Sequence, residues 1–169
     1  TDTEDCNIMQ QKGMVWVIGA SGGLGRATAQ AFAQNGWSVI AGARSFAAGT
    51  SPLGEGVTVL PLDVTSEESC TAFVKKALGM ESRVDVLVCA AAQLVLGSCE
   101  NTTVDELDRL LDVNVLGAVR MIQRALPLMR AQKSGKIILF SSINGLLGIP
   151  FQSAYTASKH ALEGYAECL

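Results

Sequence analysis

Two patterns of apolar residues alternate along this chain. Short runs of consecutive, mostly β-branched residues suit strands buried on both faces, and longer stretches with apolar residues every three or four positions suit helices that bury one face. The first run, MVWVI at Met14–Ile18, predicts a strand, and residues 25–36 predict an alanine-rich helix closed by Gly36 in a left-handed cap. SVIAGA at Ser38–Ala43 predicts the second strand and residues 57–63 the third. A helix over 65–80 follows, where Thr65 and Glu68 have capping-box spacing. Residues 83–90 predict the fourth strand and 103–133 a long helical region, with Thr103 and Glu106 again at capping-box spacing. Residues 136–140 predict the fifth strand and 151–169 the last helix. The connection over 44–56 is rich in Gly, Pro and Ser and predicts an irregular crossover.

Strand and helix in alternation predict βαβ units, and right-handed crossovers then give an α/β fold, a doubly wound parallel sheet with helices on both faces. A length of 169 residues suits one domain over 1–169, with an acidic, flexible N-terminus over 1–12. Hydrophobic residues make up 49%, charged residues 17%, and the net charge is −3, so no basic surface argues for a nucleic-acid partner. The apolar runs are far shorter than the roughly 20 residues of a membrane span, and the expectation is a soluble, cytoplasmic protein with no membrane partner. Five cysteines, Cys6, Cys70, Cys89, Cys99 and Cys168, show no C-x-x-C spacing and predict free thiols rather than a disulfide framework or a metal site. Trp16 is expected in the core and Trp37 half exposed, and His160, the single histidine, is expected in solvent or packing.

Chemistry enters first at GASGGLG, directly between the first strand and its helix. Glycines permit a tight turn and close approach of a phosphate to backbone amides, and a helix N-terminus supplies free N–H groups and positive dipole. Cofactor binding is expected at Gly19, Ser21, Gly22, Gly23, Leu24 and Gly25. A dinucleotide site commonly ends its second strand with an acid for the ribose 2′-hydroxyl; here Ala43 takes that position and Arg44 follows. Losing the acid and gaining a guanidinium favours NADP over NAD as cofactor.

The second feature is Tyr155 and Lys159, one helical turn apart and therefore on one face. A phenol is a poor base at neutral pH, and a nearby ammonium favours its phenolate form, which suits proton exchange with an alcohol or alkoxide oxygen. Ser142 lies just past the fifth strand, where open α/β sheets place ligands, and Asn114 interrupts a helical run.

G-x-x-x-G-x-G after the first strand, L-D-V at residues 62–64, N-V-x-G from Asn114, Ser142 and Y-x-x-x-K, in that order, resemble the short-chain dehydrogenase/reductase family. DVLVCAAA with LDVNVLG is weakly similar to its 17β-hydroxysteroid dehydrogenase branch. The resemblance implies a Rossmann-type sheet in the order 3-2-1-4-5, a nicotinamide cofactor, and hydride exchange with a small-molecule secondary alcohol or ketone. It further implies Tyr155 as acid/base, Ser142 as hydrogen-bond partner of the substrate oxygen, and Lys159 as ribose ligand that eases loss of the phenol proton. Asn114 would hold a relay water, Asp63 and Val64 would contact the adenine, and the backbone around Ala91 the ribose. A homo-oligomer, dimer or tetramer, is implied as well.

Two departures stand out. Ile18 replaces the family's threonine before the first glycine, and Cys89–Ala92 reads CAAA in place of N-N-A-G. Family members also continue for about 80 residues with further strands, so the chain is expected to be a fragment lacking the last strands and showing little turnover alone. The alternative to an oxidoreductase is a nucleotide-binding module without catalysis.

Overall fold

The computed structural model describes residues 12–47 and 52–169. Cys6, Met9 and all of the N-terminal segment except Lys12, whose N–H bonds the Gly36 carbonyl at 3.1 Å, lie outside the described residues, as does the middle of the 44–56 crossover. Five parallel strands, β1 Met14–Ile18, β2 Ser38–Ala43, β3 Val57–Pro61, β4 Val86–Cys89 and β5 Lys136–Leu139, form one sheet in the order β3-β2-β1-β4-β5. The order expected from the sequence is thus the order observed. Helices α1 Gly23–Gln34, α2 Glu67–Met80, α3 Val104–Leu111, α4 Gly117–Gln132 and α5 Ser153–Ala166 make the crossovers and the flanks.

The central strand β1 is fully buried because apolar layers cover both faces of the sheet, and its alternate residues divide between them. Trp16 and Ile18 join Phe73, Leu87, Met121 and Ile122 on one side, whereas Val15 and Val17 join Ala29, Val39, Val59 and Val88 on the other. Trp16 meets Phe73 edge to face at 5.9 Å. Trp37 is half-buried, also edge to face, against Phe32. Ile18 and Cys89 are register partners between β1 and β4, both buried. Both positions where the family carries polar residues are apolar together, so neither leaves a polar partner unpaired across β1 and β4. Burial pushes the Cys89 thiol up to about 12, so it acts as a small apolar side chain.

Local chemistry moves two elements from their expected places. The capping box at Thr103 and Glu106 forms as expected. The one at Thr65 does not: Ser66 caps α2 through Ser69 N–H, because Thr65 gives both its N–H (3.0 Å) and its hydroxyl (2.7 Å) to the Asp63 carboxylate. The long helical region is not uniform either, since Asp112–Leu116 forms a π-turn in which Gly117 N–H reaches the carbonyl of Asp112. Arg120 ties that turn down, pairing with Asp112 at 2.7 Å and Glu67 at 3.0 Å while donating to the Val64 carbonyl at 3.0 Å.

Candidate active site

Where the strands end, the β1–α1 turn and the segments after β2, β3 and β4 enclose a cleft of about 260 Å³. Of the residues expected to bind a cofactor, Gly19, Ser21, Gly22, Arg44, Asp63, Val64 and Ala91 line it. Gly23, Leu24 and Gly25 do not; they form the first turn of α1, with the Leu24 side chain exposed. Gly19 has φ +89, and a Cβ there would collide with the Ala91 backbone. A Cβ on Gly25 would strike the Gly19 carbonyl, so these two glycines set how closely turn, helix and β4 segment approach.

The cleft fits a phosphate-bearing cofactor. Gly22 caps α1 without any side-chain acceptor, so no side chain competes for the first-turn N–H groups. A Cβ on Gly22 or Gly23 would meet only open space, which leaves those amides approachable. Ala43 and the exposed Arg44 sit at the rim with Ser21. Asp63 is oriented by Thr65, and that backbone N–H and hydroxyl hold its carboxyl below the usual carboxylate range, with further help from the Arg44 and Arg120 charges.

A continuous hydrogen-bond path leads from the cleft to α5. Gln93, on the cleft wall, is clasped by the buried Asn114 side chain: Gln93 N–H donates to Oδ1 at 2.7 Å, and Nδ2 donates to the Gln93 carbonyl at 2.9 Å. The second Nδ2 proton goes to Ser158 Oγ at 3.0 Å, and Ser158 in turn donates to the Tyr155 carbonyl at 2.7 Å. Both Asn114 side-chain protons are thus engaged, and its amide fastens the β4 segment and the π-turn to the helix of Tyr155. The π-turn supplies the geometry, because one extra residue in the turn re-aims the side chain relative to an α-helix.

Tyr155 is half-buried on α5, and Lys159 is 2% exposed with Nζ 5.5 Å from the Tyr155 ring centroid. Lys159 Nζ donates to the Phe140 carbonyl at 2.7 Å, just past β5, which leaves two ammonium protons for other acceptors. Burial pushes the lysine pKa down, opposed by the negative charge of Glu163. Ser142 follows β5 and caps a short 3-10 turn, Ile143–Gly145, accepting from Asn144 N–H at 3.3 Å. His160 is exposed and lies 3.0 Å from the Thr156 carbonyl, away from this group. Among the described residues, no cluster of His, Cys, Asp or Glu is arranged to hold a metal ion, and no helix is long and apolar enough to cross a membrane.

The sequence reading passed over Gln93, Ser158 and Asn144. Gln93 carries only the weak signal of a polar residue after an apolar strand end. Ser158 was more accessible, since it lies three residues past Tyr155 and shares its helical face.

A family model described as short chain dehydrogenase matches residues 13–169. The chain is 37% identical over 159 residues to a 3-ketodihydrosphingosine reductase of Bacteroides thetaiotaomicron, covering 94% of this chain and 58% of that protein. It is 45% identical over 111 residues to estradiol 17-beta-dehydrogenase 1 of Rattus norvegicus, covering 66% of this chain and 32% of that one. Among solved structures, a short-chain dehydrogenase from Streptomyces avermitilis superposes with TM-score 0.84 at 35% identity, covering 92% of this chain and 59% of that one. An alcohol dehydrogenase from the archaeon Thermococcus sibiricus, complexed with 5-hydroxy-NADP, superposes with TM-score 0.83 at 27% identity, covering 92% and 69%. The chain therefore spans little more than half of the first relative and a third of the second. With the family model matching almost the whole chain and the sheet in this order, the chain belongs to the short-chain dehydrogenase family.

Proposed function

We propose that the protein is an NADP-preferring oxidoreductase exchanging hydride between the nicotinamide and a secondary alcohol or ketone. The observation that carries this reading is the hydrogen-bonded path from the cleft through Gln93, Asn114 and Ser158 to Tyr155, which joins a phosphate-suited cleft to an acid/base helix. The relatives' names, a ketosphingosine reductase, an estradiol dehydrogenase and an alcohol dehydrogenase with an NADP derivative, support the same class of reaction.

In this reading the first-turn amides of α1, with Ser21 and Gly22, hold the pyrophosphate, and Arg44 holds the ribose 2′-phosphate through charge-assisted bonds. Asp63 and Val64 flank the adenine, Ala91 the ribose. When bound there, the nicotinamide cofactor would supply the hydride for reduction of the carbonyl carbon, or take it up in the reverse direction. Tyr155 gives its phenolic proton to the substrate oxygen as negative charge develops there, or accepts it from an alcohol. Ser142 donates a second hydrogen bond to that oxygen, and the Lys159 cation stabilises the phenolate and binds ribose hydroxyls with its two remaining protons.

The test is a titration of NADPH by fluorescence followed by turnover on a panel of ketones and secondary alcohols, using the intact protein. Binding with turnover supports the enzyme. Binding without turnover on any of them supports a nucleotide-binding module instead.

A further inference from the structure

The Ser142 and Tyr155 hydroxyls must meet the same substrate oxygen, yet they stand on different elements, the 3-10 turn after β5 and the helix α5. Asn144 spans the gap. It is 3% exposed, and its side chain uses every conventional hydrogen-bonding edge. Ser142 Oγ donates to its Oδ1 at 3.2 Å, and its two Nδ2 protons go to Gln152 Oε1 and Thr156 Oγ1, each at 3.0 Å. Gln152 caps α5 and Thr156 adjoins Tyr155 in its first turn. A buried amide satisfied on both sides fixes the groups it joins, because breaking either side leaves a polar atom unpaired in low dielectric.

We infer that Asn144 is the positioning residue of the site: it holds the Ser142 hydroxyl in register with α5 and carries the serine proton when substrate does not. The inference rests on Ser142 acting as proposed above. Serine has one proton to give and two lone pairs. With the proton on Asn144 Oδ1 and one lone pair taking Asn144 N–H, the remaining lone pair can accept from a substrate hydroxyl. When the substrate oxygen is a carbonyl or forming alkoxide, the serine proton swings from Asn144 Oδ1 to that oxygen. No bond to hydrogen breaks, and the amide oxygen is free to receive the proton's hydrogen bond again after release. Asn144 thereby serves both directions of one reaction without touching the substrate.

A double-mutant cycle in the intact protein tests this, with NADPH affinity and melting temperature measured for every variant. Misplacing a reacting group by about 1 Å costs on the order of 10²-fold, so Asn144→Ala is expected to lower kcat about 10- to 100-fold at unchanged NADPH affinity. Ser142→Ala lowers kcat about 100-fold or more, and adding Asn144→Ala to it costs less than about 2-fold further. Thr156→Val keeps the Ser142–Asn144 bond and the helix while removing one leg, and is expected to lower kcat by a few-fold, again only when Ser142 is present. It decides the question if Asn144→Ala does not fold. Full multiplication of the Asn144 or Thr156 effect in the Ser142→Ala background, or no effect on kcat in its presence, overturns the inference while the enzyme reading stands. No effect of Ser142→Ala itself overturns both.

Discussion

Replacing Asn114 separates its structural work from its shape. Asn114→Ala removes three hydrogen bonds, two to the Gln93 backbone and one to Ser158, from a side chain that is 2% exposed. Each buried group left unpaired costs about 1–3 kcal/mol, but Gln93 is only half-buried and water will recover part of that. A net loss of about 3 kcal/mol is expected, which for a chain of this size is a fall in melting temperature of about 6–12 °C. Asn114→Asp keeps the shape but turns the donor edge, which faces the Gln93 carbonyl and Ser158 Oγ, into an acceptor. At neutral pH it is expected to be at least as damaging as alanine, and its deficit should shrink as the pH falls and protonation restores one donor. Thermal melts by circular dichroism, with guanidinium titrations and NADPH binding in parallel, give the comparison. A melting temperature for Asn114→Asp within about 1 °C of the parent would refute the reasoning, because packing alone would then explain the residue.

Lys159 offers a pH test with a definite sign. Its pKa is depressed in the folded state by burial, so between the folded and unfolded values the unfolded chain binds more protons and stability rises with pH. Lys159→Met removes the buried charge; its melting temperature relative to the parent is expected to be higher at neutral pH, with the gain shrinking as pH climbs through the lysine's own range. A gain that grows with pH would contradict the assignment. At the cleft rim, Arg44→Asp is expected to weaken NADPH at least 10-fold relative to NADH, measured as the ratio of the two dissociation constants; an unchanged ratio would remove Arg44 from the site.

Strands were legible where burial is two-sided: β1 and β2 begin and end where their apolar runs do, while crossover rules gave only the doubly wound form and the strand order came from the family resemblance. The π-turn at Asp112–Leu116 was not legible, because one inserted residue shifts the helical phase without interrupting the apolar period, and Asn114 alone signalled it. The cap of α2 moved from Thr65 to Ser66 because Asp63 competes for the threonine, a contest between neighbours that capping-box spacing does not register. The glycine turn, Arg44 and Tyr155 with Lys159 could be named from spacing and position, and Asp63 only from the family resemblance. Gln93 and Asn144 could not, since their importance lies in partners 21 and 8 positions away that only the fold brings near, and Ser158, though on the helical face of Tyr155, gave no sign of its partner 44 positions away.

The central claim is that a Tyr155 hydroxyl moves the proton in an NADPH-dependent reduction. Tyr155→Phe removes that single oxygen and keeps the ring beside Lys159. Measured on the intact protein with a ketone that the parent reduces, the variant is expected to bind NADPH with the parent's affinity and to lose turnover by 10²-fold or more, in line with about 10²–10⁴-fold from general acid catalysis. Turnover within a few-fold of the parent would contradict the account.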